Sequence, residues 1–160
     1  MKKIIKKKLD YSPNLKDYQK TYKTFSWSQA AKEIEYFPNG LMNAAYIAID
    51  VNAKNARKNK VALYWESDSG EELKLTFLEM SILSNKMGNG LKKLGVKRGK
   101  RIFIFLPRLP ELFISFLGIL KIGAIVGTLF AAFGEQALQD RLENSEAEVL
   151  ITSPELYPRV

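Results

Sequence analysis

A chain of 160 residues, 46% hydrophobic and 26% charged, is bounded to one globular domain or a piece of a larger one. It contains no cysteine and no histidine, which excludes disulfides, thiolate chemistry, every triad built on an imidazole and Cys/His zinc sites. The formal net charge is +8, but eight lysines against two aspartates place +6 of it in residues 1–23, so the remainder is nearly balanced.

Residues 1–23, MKKIIKKKLDYSPNLKDYQKTYK, read as a solvated, basic arm. Met1-Lys2-Lys3 does not open a secretory signal, because Ile4-Ile5 is followed by more lysines and not by an apolar core. Attraction to an anionic surface is the alternative for such an arm. Tyr11, Tyr18 and Tyr22 would then stack on bases. No nucleic-acid-binding module accompanies them, so no nucleic-acid partner is expected.

Ser26 or Ser28 is placed to cap a short helix, SQAAKEIEY. Pro38-Asn39-Gly40 is a turn signal. Leu41 to Ile49 reads as a helix with Leu41, Ala45, Ala48 and Ile49 on one face. Val61–Trp65 and Glu72–Leu75 flank the turn Ser67-Asp68-Ser69-Gly70 and predict a β-hairpin. Thr76 and Glu79 form a capping-box pattern for a helix to about Leu94. Phe77, Met80, Leu83, Met87, Leu91 and Leu94 are its inward candidates, and Gly95 ends it. Gly88-Asn89-Gly90 falls inside this helix with the wrong third spacing, which argues against a dinucleotide fingerprint.

Arg101 to Phe133 is the most apolar stretch, and Lys121 is its only charge between Leu112 and Phe133. The run is long enough to span a bilayer. Its period changes, however. Ile102–Leu106 is a continuous apolar block stopped by Pro107, as in a strand buried on both faces. From Pro110, the residues Phe113, Phe116, Leu117 and Leu120 recur at helical spacing, and Gly123 suits a C-terminal cap. Ala124 to Phe130 returns to strand composition. Glu135–Asn144 predicts a helix with Leu138 and Leu142 inward, and Glu146–Thr152 a last strand. The order after Leu75 is therefore helix, strand, helix, strand, helix, strand. The fold class is α/β: a mostly parallel sheet with flanking helices, incomplete because its final strand lacks a closing element. A basic, partly helical N-terminal extension precedes it.

Four blocks carry a family resemblance: Asn14–Tyr18 with Phe25-Ser26-Trp27; Leu41–Tyr46 with Ile49-Asp50; Leu75-Thr76-Phe77 through Gly95–Gly99; and Arg101–Thr152. The last includes Leu106-Pro-Arg-Leu-Pro-Glu-Leu112, Lys121-Ile-Gly-Ala124, Leu129-Phe-Ala-Ala-Phe133 and Arg141-Leu-Glu-Asn-Ser145. Together they resemble the N-terminal part of AMP-forming acetyl-CoA synthetases, within the acyl-CoA synthetase and adenylate-forming superfamily. The chain departs from that pattern at Asp50-Val51-Asn52, where Asp-Arg-His is common. It departs again at Gly99-Lys100, where Gly-Asp is usual.

The resemblance implies an ATP-dependent ligase that joins acetate, or another short-chain acid, to AMP and then to the thiol of CoA. It implies residues 1–60 as an N-terminal extension and 61–160 as the first part, truncated, of the AMP-binding domain. Such enzymes hold the triphosphate with a Ser/Thr/Gly-rich loop ending in Pro-Lys-Gly, and use a Thr-Glu motif, a ribose-binding aspartate and a C-terminal lysine. None of these motifs occurs in the 160 residues. No catalytic or metal-ligating residue is therefore expected here, and this chain is expected to be inactive alone. ATP, Mg2+ and CoA would belong to the complete enzyme, with a second chain carrying the remainder as a partner. Arg159 falls close to where related acetate enzymes place an arginine near the phosphates of CoA. A cytoplasmic location is expected. Two competing functions are a small basic membrane-associated protein inserting Leu112–Phe133 and a non-catalytic nucleic-acid-binding module.

Overall fold

The computed structural model of the chain describes residues 10–34, 37 and 39–160. The lysines at positions 2 to 8, the last two residues of the SQAAKEIEY segment and Pro38 of the turn signal lie outside them. The chain divides into two units, Met1–Glu35 and Tyr36–Val160.

In the first unit, α1 (Tyr18–Thr24) begins at Asp17, whose carboxylate accepts from the backbone N–H of Lys20 at 3.0 Å. Tyr18 and Tyr22, one helical turn apart, stack with centroids 5.9 Å apart. Of the two candidate caps for α2 (Trp27–Ala31), Ser26 is the one used; it accepts from Gln29 N–H at 3.2 Å. This helix ends earlier than SQAAKEIEY suggests. Neither helix buries a residue, so no core holds a longer one.

The second unit opens with Asn43, whose side chain accepts from Tyr46 N–H and donates to the carbonyl of Leu120 at 2.7 Å. A π-helical turn, Tyr46–Asp50, then runs directly into α3 (Val51–Ala53). The helix expected over Leu41–Ile49 thus starts later and continues further. Its wider i→i+5 turn brings Ala45, Ile49 and Asp50 inward, while Leu41 and Ala48 are exposed.

Strands β1 (Val61–Glu66) and β2 (Glu72–Thr76) form the expected antiparallel hairpin. Thr76 caps α4 (Phe77–Lys93) in a complete capping box, its hydroxyl accepting from Glu79 N–H. The Glu79 carboxylate accepts in return from the Thr76 N–H and hydroxyl, which hold it below the usual carboxylate range. Met80, Ser84, Gly88 and Leu91 are the residues α4 buries. Leu94 is not inward but 81% exposed. It is the C-terminal cap, after which Gly95 at φ +88° turns the chain away.

Then follow β3 (Arg101–Phe105), α5 (Pro110–Lys121), β4 (Ile125–Thr128), α6 (Glu135–Asn144) and β5 (Val149–Thr152). The three strands form a parallel sheet in the order β4-β3-β5. Arg101–Phe133 is therefore strand, helix, strand, and the inserted-helix alternative fails on this break. No helix among the described residues is long and apolar enough to cross a membrane.

The period of two along β3 sorts the core into two layers. Ile102 and Ile104, fully buried, face α4 and α5 with Leu91, Ile119 and Ala124. Phe103 and Phe105 face the other way, with Leu129, Leu138 and Leu156. A third cluster, centred on Ile49, Leu75 and Met80, ties the hairpin to α4.

Glycines set the closest approaches. A Cβ at Gly118 of α5 would lie 2.8 Å from the Met87 side chain and 3.0 Å from the carbonyl of Ser84 on α4. Gly88 meets Gly118 from the other side, which gives that glycine a packing role between helices. Gly118→Val is expected to cost about 1–3 kcal/mol by overpacking. Gly90→Ala, in α4 two residues from Gly88 but with nothing near its Cβ, should be neutral or slightly stabilising. Thermal unfolding of the two variants checks this, and equal melting temperatures would remove the close-packing account.

The charge of Lys100 is compensated locally. Lys100 pairs with Glu148, immediately before β5, and Arg101 with Glu146 at 2.9 Å. The Lys100 ammonium, as hydrogen-bond donor, holds the Glu148 carboxyl below its ordinary range.

Candidate functional site

Because α5 and α6 pack on opposite faces of the sheet, the loops leaving β3 and β4 diverge. In an open parallel sheet, ligands bind in the crevice this leaves outside the carboxyl ends of the strands. A cavity of about 1000 Å³ lies there. Its floor is Leu106–Leu109 after β3 and Leu129–Ala131 after β4, with Phe133, Leu112 of α5 and Arg141 of α6. The hairpin supplies the remaining wall, Trp65 to Asp68.

Local contacts fix this arrangement. Pro107 stops β3, and Pro110 occupies the first turn of α5, so the chain crosses the cavity in four residues. The Trp65 indole N–H donates to the carbonyl of Arg108 at 2.6 Å, fastening the hairpin to that loop. Phe130 and Phe133 meet edge to face at 5.8 Å. The Arg141 guanidinium lies 4.3 Å from the Phe133 ring centroid, and its Nη1 donates to the carbonyl of Ala137 at 2.9 Å. Phe130 remains 62% exposed.

Arg159 sits in the short 3₁₀ turn Tyr157–Arg159 that follows β5. Its Nη1 donates to the carbonyl of Ala131 at 3.1 Å. Ala131 belongs to the floor of the large cavity, whereas Arg159 itself lines a second one of about 570 Å³ beside Glu135 and Glu143. The Arg159 side chain is thus held at the carboxyl edge of the sheet and bridges the loops after β4 and β5. The buried hydroxyl of Thr152, at the end of β5, has no partner among the described residues.

Lys121 lies at the opposite edge, at the C-terminus of α5. Its ammonium is bonded to Asp50 at 2.7 Å, Asn85 at 3.0 Å and the carbonyl of Ser81 at 3.3 Å. The Ser81 hydroxyl donates to the same Asp50 carboxylate. This lysine joins three helices and serves no phosphate loop. Among the described residues no three His, Cys, Asp or Glu side chains stand close enough to hold a metal.

Trp65, Arg108, Phe130 and Arg141 were not singled out as site residues in the sequence. Their signal is position: Trp65 and Phe130 close predicted strands, Arg108 follows one, and Arg141 lies on the helix after another, against Phe133.

Comparison with known proteins gives the site its context. The family model for AMP-binding enzymes matches residues 49–159. Acetyl-coenzyme A synthetase of Bacillus subtilis (strain 168) is 53% identical over 148 residues, covering 92% of this chain and 26% of that protein. The 3-hydroxypropionyl-coenzyme A synthetase of Sulfurisphaera tokodaii is 40% identical over 138 residues, covering 83% and 21%. The crystal structure of a Brucella canis acyl-CoA synthetase superposes with a TM-score of 0.81 at 30% identity, over 89% of this chain and 26% of that one. The chain spans about a quarter of the length of these relatives.

Proposed function

Because the chain belongs to the AMP-binding enzyme family, we propose that it supplies the first part of an ATP-dependent acetate, or short-chain acyl, CoA ligase. The complete cytoplasmic enzyme forms acyl-AMP with release of pyrophosphate, then transfers the acyl group to CoA. Residues 1–60 are the N-terminal extension, and 61–160 begin the adenylate-forming domain. The observation that carries this reading is the 53% identity to B. subtilis acetyl-coenzyme A synthetase over 92% of the chain.

The chemistry requires charge stabilisation on the transferring phosphorus by backbone donors, a lysine and Mg2+. The 160 residues hold no Ser/Thr/Gly-rich loop with a lysine. The ATP and Mg2+ sites are therefore assigned to further sequence, in the same polypeptide or in a second chain. For CoA, by contrast, a binding residue is proposed within these residues. That residue is Arg159, assigned to a CoA phosphate on the family resemblance. It is held at the edge of the sheet where ligands bind, and one of its five N–H donors is used by Ala131.

The test grafts residues 1–160 in place of the matching segment of the B. subtilis enzyme. The graft is expected to catalyse acetate-dependent ATP–pyrophosphate exchange. A graft that melts cooperatively but lacks exchange would contradict the ligase reading. In the same graft, Arg159→Ala should raise KM for CoA about tenfold or more, the value of one charge-assisted hydrogen bond. It should leave exchange unchanged, because exchange needs no CoA. An unchanged KM would withdraw the assignment of Arg159.

A further inference from the structure

Between Tyr11 and Trp27 every aromatic residue is exposed: Tyr11, Tyr18, Tyr22, Phe25 and Trp27. Leu15, Tyr18, Tyr22 and Phe25 recur at helical spacing along α1 and its two flanks, and Lys16, Lys20 and Lys23 keep a similar spacing beside them. None of these lysines pairs with a carboxylate among the described residues. The Asp17 carboxylate is used instead as the cap of α1. In the sequence, Lys2, Lys3, Lys6, Lys7 and Lys8 precede this row, interleaved with Ile4 and Ile5. We infer that the first unit docks on the surface of an anionic lipid bilayer. The aromatic row sits at the level of the headgroups, the lysines contact lipid phosphates, and the chain lies on the membrane without crossing it.

Three observations choose this occupant. The first is charge. Packing the aromatic row into a protein interface would desolvate the lysines beside it, which is costly for unpaired ammonium groups. An anionic bilayer offers phosphates to all of them and leaves them in water, and each lysine near such a surface adds to the attraction. The second is residue type. Tyr and Trp carry an apolar ring with a polar handle and settle at the boundary between water and hydrocarbon. Tyr22 is 72% and Trp27 81% exposed. Tyr18 stacks on Tyr22, and Phe25 meets Trp27 edge to face at 5.1 Å. The rings are thus paired with each other, whereas a single-stranded nucleic acid is held by rings that stand apart as platforms for successive bases. The third is the lack of internal support. Neither α1 nor α2 buries a residue, and helices this short are marginal in water. A bilayer surface supplies the apolar side that they lack.

Co-sedimentation with vesicles tests this, on residues 1–160 and on the grafted enzyme, which sets them in a full-length chain. Both should bind vesicles made of equal parts phosphatidylglycerol and phosphatidylcholine, and neither should bind phosphatidylcholine alone. Raising the salt from about 0.1 to 0.5 M should weaken binding about tenfold or more. Lys20→Gln with Lys23→Gln should weaken it about tenfold or more. Lys92→Gln with Lys93→Gln, the same charge change in the last turn of α4, should stay within about twofold, because those lysines lie outside the docking unit. Trp27→Ala should weaken binding about fivefold, and Trp27→Phe should recover most of the loss. Equal binding to neutral and anionic vesicles, or equal effects of the two lysine pairs, would overturn the inference. So would a graft that melts cooperatively but binds no vesicles while residues 1–160 bind them, since the rest of the enzyme would then cover the aromatic row. Tighter binding to single-stranded DNA than to the anionic vesicles would also overturn it and assign the unit to nucleic acid. Vesicle binding needs no turnover, so its failure counts against the docking surface alone, and failure of exchange counts against the ligase reading alone.

Discussion

Asp50→Ala is expected to lower stability by about 3–5 kcal/mol, the range for removing one partner of a buried ion pair. The Asp50 and Lys121 side chains are 11% and 8% exposed, and the Lys121 ammonium has no other carboxylate partner among the described residues. With Asp50 gone, the ammonium keeps only Asn85 and a carbonyl in a site that water barely reaches. The loss propagates, because Asp50 lies on the π-helical turn, Ser81 and Asn85 on α4, and Lys121 on α5. Removing both charges together, as Asp50→Leu with Lys121→Met, should recover most of the loss, since no uncompensated charge is left. Denaturant midpoints of the grafted enzyme check this. Losses below 1 kcal/mol for Asp50→Ala, or a double variant worse than the single one, would show that the pair does not hold the helices together.

The same pair marks the limit of what the sequence shows. The strands and helices after Leu75 were legible because each change of period is local: the block Ile102–Leu106 stopped by proline, the helical spacing from Pro110, the glycine at 123. The capping box at Thr76 was legible for the same reason. Asp50 and Lys121 are 71 residues apart, and nothing local in either segment announces the other. Lys121 in particular read as the only charge in a long apolar run, and only the fold makes it a buried partner. Leu41 and Leu94 were misplaced because the spacing that puts a leucine on a helical face persists beyond the residues that are helical. Asn43 and Gly95, not hydrophobicity, decide those ends. The cleft was the least legible feature. Its residues come from the hairpin, two strand ends and α6, and only the parallel order β4-β3-β5 brings them to one edge. Arg159 alone had been marked, through a family resemblance and not through any pattern in its own loop.

The second large effect concerns catalysis. Residues 1–160, expressed by themselves, are expected to form no acyl-adenylate. In-line attack on the α-phosphorus requires the triphosphate to be held and its charge neutralised. The cleft described here offers arginines at the carboxyl edge but no glycine-rich cradle of N–H groups, and no metal-capable cluster is present among the described residues. Among the described residues, strands β4 and β5 are both outer strands of the three, each pairing only with β3. Ile125 on β4 is 54% exposed, an apolar surface suited to cover by further structure.

The most direct measurement is acetate-dependent ATP–pyrophosphate exchange on three samples: residues 1–160 alone, the remaining segment of B. subtilis acetyl-coenzyme A synthetase alone, and the two co-expressed as separate chains. The account predicts no exchange from either chain by itself and recovered exchange when they are together. Acetate-dependent exchange by residues 1–160 alone would contradict it.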